Sequence, residues 1–194
     1  MPLITLPPAT LPTMTVHRDG DRWIGGVPAE PSVTVEASDL ESVMNAIVQE
    51  MAKPEIQEKV AQVMAPEIKI MMSSDVDLGA EKPARMALIQ GHFEVTPENL
   101  DEVLAGEGVT LIDVWGPNCT ACLLMAPGMD EMAARLPEVR LVQLDGEKFR
   151  DLNAQLNVWG HPSYLLYRGG QEIARFIGSR GLDVFVTEIQ AALA

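Results

Sequence analysis

The chain contains only two cysteines, Cys119 and Cys122, and two residues separate them. An apolar, β-branched run of strand length, 108–114, precedes this pair, and a run of good helix formers, 123–136, follows it. The pair is therefore predicted to lie where a buried strand turns into a helix. A thiolate at a helix N-terminus faces unpaired N–H groups and the positive end of the helix dipole, which lowers the pKa of the thiol. We expect Cys119 to be a nucleophile, with Cys122 one turn along and close enough to form a disulfide with it.

Two other interpretations of the cysteine pair remain open. The pair could be half of a tetrahedral zinc site, but such a site needs two further ligands, and the imidazoles of the chain are limited to His17, His92 and His161. The pair could also be buried and unreactive. In a reducing cytosol, however, a CxxC pair is more typical of transient redox chemistry than of a structural disulfide.

Composition limits the classes of partner. The chain has 194 residues, of which 47% are hydrophobic, enough for a packed domain of roughly 100 residues with an additional module. The net charge of −14, without a basic cluster, predicts neither a nucleic-acid nor an anionic-membrane partner. Residues 1–8 lack the basic segment and continuous apolar run of a secretory signal, and no apolar run reaches membrane-spanning length. We therefore predict a cytoplasmic location.

The N-terminal part of the chain is predicted to contain two segments of unknown role. Residues 1–13 include four prolines, which exclude a helix and favour an extended arm that lies on this protein or on a partner. Residues 14–83 are predicted to form a small α/β module. Its signals are a hairpin turn at Asp19-Gly20, a strand at 32–36, a capping box at Ser38 that opens an amphipathic helix, a second helix from Pro54, and a short strand at 68–72.

Strands and helices alternate in residues 84–194, which are predicted to form one domain. Thr96 is the predicted cap of the first helix, Pro97 its first residue, and Gly106 its end. The predicted strands are 86–89, 93–95, 108–115, 139–145, 164–167 and 172–177, and the predicted helices are 97–105, the segment from the cysteines to 136, 148–156 and 182–194.

From about residue 90 to 194 the chain resembles a thioredoxin domain. The matching features follow in order: Asp113-Val114-Trp115, the CxxC pair, Pro127 in the next helix (the proline that kinks it in the family), Gly160-His161-Pro162-Ser163, and Gly178. The resemblance implies an α/β protein of the thioredoxin fold, a central mixed sheet flanked by helices, here with a small N-terminal extension. It also implies that Cys119 attacks a protein disulfide and that Cys122 resolves the mixed disulfide. No metal or organic cofactor is implied.

The resemblance also assigns roles to residues around the pair. Asp113 becomes the buried carboxylate that exchanges a proton with Cys122, and desolvation should raise its pKa; the alternative is a strand-edge aspartate bonded to backbone groups. Pro162 resembles the cis-proline of the family, and the alternative is a trans proline that opens a strand. The implied substrate-binding residues are Trp115, Gly160, His161, Pro162 and Gly178.

Five positions depart from the usual family pattern. Thr120-Ala121 replaces Gly-Pro, Asn118 replaces the tryptophan before the first cysteine, and Leu123 replaces a basic residue. His161 stands where an apolar residue or threonine is usual. An imidazolium near Cys119 would favour the thiolate, whereas a solvated loop histidine would not. These departures leave the redox potential and the substrate undetermined.

The predicted function is a thioredoxin-like thiol–disulfide oxidoreductase that reduces or exchanges protein disulfides. Electrons would come from a separate disulfide reductase, and the N-terminal arm and module would bind a protein partner or select the client. The alternative is a thioredoxin-fold binding or structural subunit of a larger assembly or chaperone complex with little redox activity. The unusual CxxC motif and the large part of the chain outside the catalytic domain favour this alternative.

Overall fold

The computed structural model describes residues 14–28, 30–59 and 92–194. In this part of the chain, eight strands form one sheet. They are β1 (Met14–Asp19), β2 (Arg22–Val27), β3 (Glu30–Ala37), β4 (Phe93–Glu94), β5 (Val109–Trp115), β6 (Val139–Asp145), β7 (Ser163–Arg168) and β8 (Gln171–Ile177). Their order across the sheet is β3-β2-β1-β8-β7-β5-β6-β4. β6 runs parallel to β4 and β5, and the other neighbouring pairs are antiparallel.

Helices cover both faces of the sheet. They are α1 (Leu40–Met51), α2 (Leu100–Ala105), α3 (Thr120–Arg135), α4 (Arg150–Gln155) and α5 (Leu182–Leu193), with a further helical stretch at 54–59. None of the helices in the described part of the chain is long and apolar enough to cross a membrane.

The apolar core has two layers because side chains alternate along the central strands. Leu111 of β5 belongs to the cluster that contains α3 and α5, with Met132 and Phe185. Its neighbour Ile112 belongs to the opposite cluster, which contains α2 and α4. This arrangement confirms the predicted fold, a mixed sheet flanked by helices.

The N-terminal strands extend the same sheet. β1 pairs antiparallel with β8, with Met14 opposite Ile177 and His17 opposite Ala174. The predicted hairpin is present, but its two turn residues are Gly20 and Asp21 rather than Asp19 and Gly20, because Asp19 still pairs with Arg22. Gly20 has the positive φ that such a turn requires. α1 packs on these strands through Val43, Met44 and Ile47. Asp39, and not Ser38 of the predicted capping box, is the N-cap of this helix and accepts from the Ser42 N–H at 2.8 Å.

A buried arginine ties β1 to the rest of the domain. The Arg180 guanidinium donates to the carbonyl of Ile177 at 2.8 Å and to that of Met14 at 3.3 Å. It also forms an ion pair with Glu188 of α5. Because both the β1 and β8 backbones accept from one buried cation, this contact fastens the N-terminal extension to the sheet.

The start of α2 also differs from the prediction. α2 begins at Leu100, with Asn99 as its N-cap, rather than at Pro97 with Thr96 as the cap. The Thr96 carbonyl closes a turn by accepting from the N–H groups of Asn99 and Leu100, while the Asn99 side chain accepts from the Thr96 N–H at 2.8 Å. The predicted helix 148–156 is observed as α4, which is shorter and covers Arg150–Gln155. The arm 1–13, the end of the second helix, and the strands 68–72 and 86–89 lie outside the described residues.

Candidate active site

The cysteine pair lies at the start of α3, immediately after the end of β5. Cys119 is the N-cap of this helix, and a disulfide joins it to Cys122 with a Cα–Cα distance of 5.3 Å. The Cys122 N–H points at the Cys119 sulfur, with a nitrogen–sulfur distance of 3.1 Å. Cys119 is half-buried, whereas Cys122 is only 3% exposed and packs against Trp115 and Leu123. Only the sulfur of Cys119 is therefore placed for an incoming reactant, and a backbone N–H aims at it.

Asp113 is a carboxylate buried in the centre of the sheet. It lies on β5, which has neighbours on both sides, so it is not a strand-edge residue. Gln143 of β6 donates to its Oδ2 at 3.4 Å, and Oδ1 has no hydrogen-bond partner in the described part of the chain. Burial raises the pKa of Asp113 to about 7, and the Gln143 hydrogen bond opposes that shift. Such a carboxyl group can take up and release a proton near neutral pH.

The loop before β7 reaches the same end of the sheet. Ser163 of β7 pairs with Val114 of β5, so residues 160–162 lie beside the segment that leads into the cysteines. The peptide bond between His161 and Pro162 is cis. The Pro162 carbonyl accepts from the Gly178 N–H at 3.0 Å, which brings these two predicted substrate-binding residues together.

His161 is half-buried, and its environment disfavours the cation. Its Nε2 lies 3.4 Å from Asn153 Nδ2. Burial lowers the pKa of His161, and the nearby carboxylates of Glu147 and Asp145 oppose that shift. Because desolvation is the largest effect, a neutral imidazole is favoured at neutral pH. The surroundings of His161 therefore do not favour an imidazolium that would stabilise the Cys119 thiolate.

Glu147 and Asn118 form a contact beside the cysteines that the sequence did not reveal. The Glu147 carboxylate accepts from the Asn118 backbone N–H at 3.1 Å and from the Asn118 side-chain amide at 2.6 Å. The partners are 29 residues apart. The signal that could have indicated the contact is topological, because the carboxyl ends of two neighbouring parallel strands meet at one edge of a sheet.

The comparisons with known proteins agree with this geometry. The family model for thioredoxin matches residues 91–191. The chain belongs to the thioredoxin family. The thioredoxin of Acetoanaerobium sticklandii is 36% identical over 83 residues, which cover 42% of this chain and 79% of that protein. The bifunctional thioredoxin reductase/thioredoxin of Mycobacterium leprae is 27% identical over 89 residues, which cover 45% of this chain and 19% of that protein.

A solved structure supports the fold alone. The structure comes from work on the thiol resolving mechanism of a yeast mitochondrial 1-Cys peroxiredoxin via glutathione/thioredoxin systems. One of its chains aligns with the present chain with a TM-score of 0.50 and 19% sequence identity. The alignment covers 53% of this chain and 97% of that one. Family membership and the Cys119–Cys122 pair together identify this thioredoxin-family protein as a thiol–disulfide oxidoreductase in general.

A second contact that the sequence did not reveal supports the cis-proline loop of this thioredoxin-family protein. Arg175 of β8 is 1% exposed and forms an ion pair with Glu172 at 2.7 Å. Its guanidinium also donates to the carbonyls of Leu156 at 2.8 Å and Asn157 at 2.7 Å. These carbonyls follow α4, so Arg175 fixes the start of the segment that leads to Pro162. The only sequence signal was a second charged residue, three positions after Glu172, in a strand that also contains Ile173, Ala174 and Phe176.

Metal chemistry was the remaining interpretation of the cysteine pair. Among residues 14–28, 30–59 and 92–194, no group of three or more His, Cys, Asp or Glu side chains is arranged to hold a metal ion. The chemistry that the described site offers is therefore that of the thiol pair, one buried carboxyl group and the surrounding backbone N–H groups.

Proposed function

We propose that this protein reduces or exchanges disulfides of other proteins through Cys119 and Cys122. The observation that carries the proposal is the partly buried Cys119 at the N-cap of α3, bonded to a buried Cys122. In the reduced protein, the Cys119 thiolate attacks one sulfur of a substrate disulfide, and the other sulfur leaves as a thiolate. Cys122 then attacks Cys119, the substrate leaves as a dithiol with two electrons gained, and the protein is left as its disulfide.

Asp113 is proposed to serve the second step of this reaction. The Cys122 thiol is buried and must lose its proton before it can attack the mixed disulfide. A carboxyl group with a pKa of about 7 is protonated or ionised in comparable amounts at neutral pH, so it can accept that proton and return it. We therefore assign proton transfer to Asp113 and the attack on the mixed disulfide to Cys122.

The substrate is proposed to lie along the loop 160–162 beside Gly178 and Trp115. A Cβ atom built at Gly160 would meet nothing within 4 Å, so this part of the loop is open to an approaching chain. Trp115 is buried and packs against Cys122, so its proposed contribution is mainly to hold the cysteines in position, with little direct contact to the substrate. His161 and Pro162 complete the proposed substrate-binding residues.

A separate disulfide reductase is the proposed electron donor, because each catalytic cycle leaves the protein oxidised. The Mycobacterium leprae relative supports this proposal, since its name joins a thioredoxin reductase to a thioredoxin. We place the reaction in a reducing cytoplasm, where disulfides of client proteins would be reduced. The N-terminal module, 14–83, and the arm, 1–13, are proposed to select the client or bind a protein partner.

The test is the reduction of insulin by dithiothreitol, followed as the turbidity of the released chains. Wild-type protein is expected to accelerate precipitation, and Cys119→Ser is expected to abolish the acceleration. Cys122→Ser is the matched variant because it keeps the nucleophile. Incubated with insulin in the absence of dithiothreitol, it should accumulate a mixed disulfide that dithiothreitol then releases. Equal rates for wild type and Cys119→Ser would contradict the proposal and favour the binding or structural subunit.

A further inference from the structure

Two loops meet next to the redox site because their strands are parallel neighbours. Trp115 at the end of β5 pairs with Asp145 at the end of β6, and the Gly146 N–H donates to the Trp115 carbonyl at 2.9 Å. The loop 116–118, which leads into Cys119, therefore lies against the loop 146–148. Side chains of the second loop can act on the residue that precedes the nucleophile.

Glu147 binds that residue at two points. Its two carboxylate oxygens accept from the backbone N–H and from the side-chain amide of Asn118, at 3.1 and 2.6 Å. The loop backbone that carries Glu147 is also held, because the N–H groups of Glu147 and Lys148 both donate to Asp145 Oδ1 at 3.0 Å. Charge-assisted hydrogen bonds from a fixed loop constrain geometry more than an exposed, freely rotating ion pair does.

Gly116 makes the close approach of Glu147 possible. A Cβ atom built at this position would lie 2.7 Å from Glu147 Oε1 and 3.0 Å from its Cγ. Any side chain at residue 116 would therefore displace the carboxylate. The glycine, the asparagine and the glutamate form one contact, which we call the Gly116–Asn118–Glu147 brace.

The brace places a negative charge one residue from the N-cap sulfur. The first turn of α3 contains no acidic residue. From the loop before β7, His161 faces the same region, and burial lowers its pKa, so it does not neutralise the carboxylate. Two further carboxyl groups belong to the neighbouring strands: Asp145, at the end of β6, accepts from the N–H groups of the Glu147 loop, and Asp113 lies on β5. The nearby cation, Lys148, pairs with Glu94 at 2.8 Å instead.

We propose that Glu147 is a positioning residue that fixes the loop before Cys119 and restrains the acidity of the Cys119 thiol. The proposal rests on the proposed function for the role of Cys119. An anion near a thiol favours the neutral form, so the carboxylate opposes the effect of the helix N-terminus. The pKa of the Cys119 thiol is therefore higher than the helix N-terminus alone would make it. As a result, the reduced protein reacts more slowly below neutral pH.

The test is the rate of Cys119 alkylation by iodoacetamide in the reduced protein, measured from pH 5 to 10. Cys122→Ser serves as the background, so that only one thiol reacts. Glu147→Gln removes the charge, and the apparent thiol pKa is expected to fall by about 0.5, which raises the alkylation rate roughly threefold below that pKa. The matched control is Glu138→Gln, which removes an exposed glutamate at the opposite end of β6 and should leave the pKa unchanged.

Each outcome bears on one of the two proposals. An unchanged alkylation pKa in folded Glu147→Gln, or an equal shift in Glu138→Gln, would overturn the role of Glu147. Circular dichroism and urea unfolding of the same Cys122→Ser variants would establish that they are folded. If wild type accelerates insulin reduction and the pKa does not move, this inference fails and the proposed function stands. If the pKa moves and wild type does not act on insulin, the proposed function fails and the electrostatic role of Glu147 stands.

Discussion

Replacing Asp113 by asparagine is expected to change how stability depends on pH. The carboxyl group has a pKa of about 7 in the folded protein, against 3.8 for an unperturbed aspartate. Between these values the folded state keeps the proton that the unfolded state has lost, so the free energy of unfolding falls as pH rises. Integrated from pH 5 to pH 8, this single group lowers the free energy of unfolding by about 2 to 3 kcal/mol. An asparagine side chain does not titrate, so Asp113→Asn should lack this loss.

The assay is urea unfolding of the oxidised protein at pH 5, 6, 7 and 8. In the oxidised protein the disulfide removes both cysteines from the titration. Asparagine keeps an oxygen that can accept from Gln143, so the variant preserves the hydrogen bond and removes only the charge. The stability advantage of Asp113→Asn should grow with pH, while its turnover in the insulin assay should be slower than that of wild type. Asp101→Asn, an exposed position on α2, is the control and should follow the wild-type profile.

Two results would refute this reasoning. Parallel pH profiles of wild type and Asp113→Asn would mean that the folded carboxyl group titrates as it does in the unfolded chain. Turnover equal to that of wild type would mean that Asp113 transfers no proton in the rate-limiting step, whatever its effect on stability.

Three further predictions follow from contacts near the active site. Arg175→Met should lower the free energy of unfolding by about 3 kcal/mol in urea titrations, because the largely buried Glu172 carboxylate loses its counter-ion and the Leu156 and Asn157 carbonyls lose their donor. A loss below about 1 kcal/mol would contradict this argument. Gly116→Ala should lower stability through its clash with Glu147, and Glu147→Ala should restore it; destabilisation that persists in the double variant would argue against the brace. The pKa of the His161 imidazole, measured by NMR, should lie below 6.5 because burial disfavours the cation. The unfolded state then takes up the proton first, so the free energy of unfolding should fall as the pH drops below 6.5. A pKa above 6.5 would contradict the desolvation argument.

Local signals in the sequence were sufficient to predict the strand–CxxC–helix unit. A glycine-flanked β-branched run and a following segment of helix formers determine β5 and α3 without long-range information, and Cys119 is indeed the helix N-cap. The final hairpin and the closing helix were also predicted, because their turns and amphipathic periods are local. The start of α2 was predicted incorrectly because the Asn99 side chain competes with Thr96 for the backbone groups of the same turn.

Contacts between distant segments could not be predicted in this way. Nothing in residues 14–17 indicates that they pair with residues 174–177 of β8, since an antiparallel partner is selected by the whole sheet. The sequence does not indicate that Arg175 and Arg180 are buried, because the backbone carbonyls that accept from them belong to other segments. The Asn118–Glu147 contact requires the register of two parallel strands, which follows from their packing and not from their composition.

The most direct test of the account is the identity of the sulfur that reacts first in the reduced protein. Limiting iodoacetamide at pH 7, followed by peptide mass spectrometry, measures how the label is divided between the two cysteines. Cys119 is only partly buried and caps the helix, whereas Cys122 is buried, so the label is expected on Cys119, with Cys122 unmodified until the protein is unfolded. Equal labelling of the two cysteines, or faster labelling of Cys122, would contradict the central claim that Cys119 is the attacking thiol.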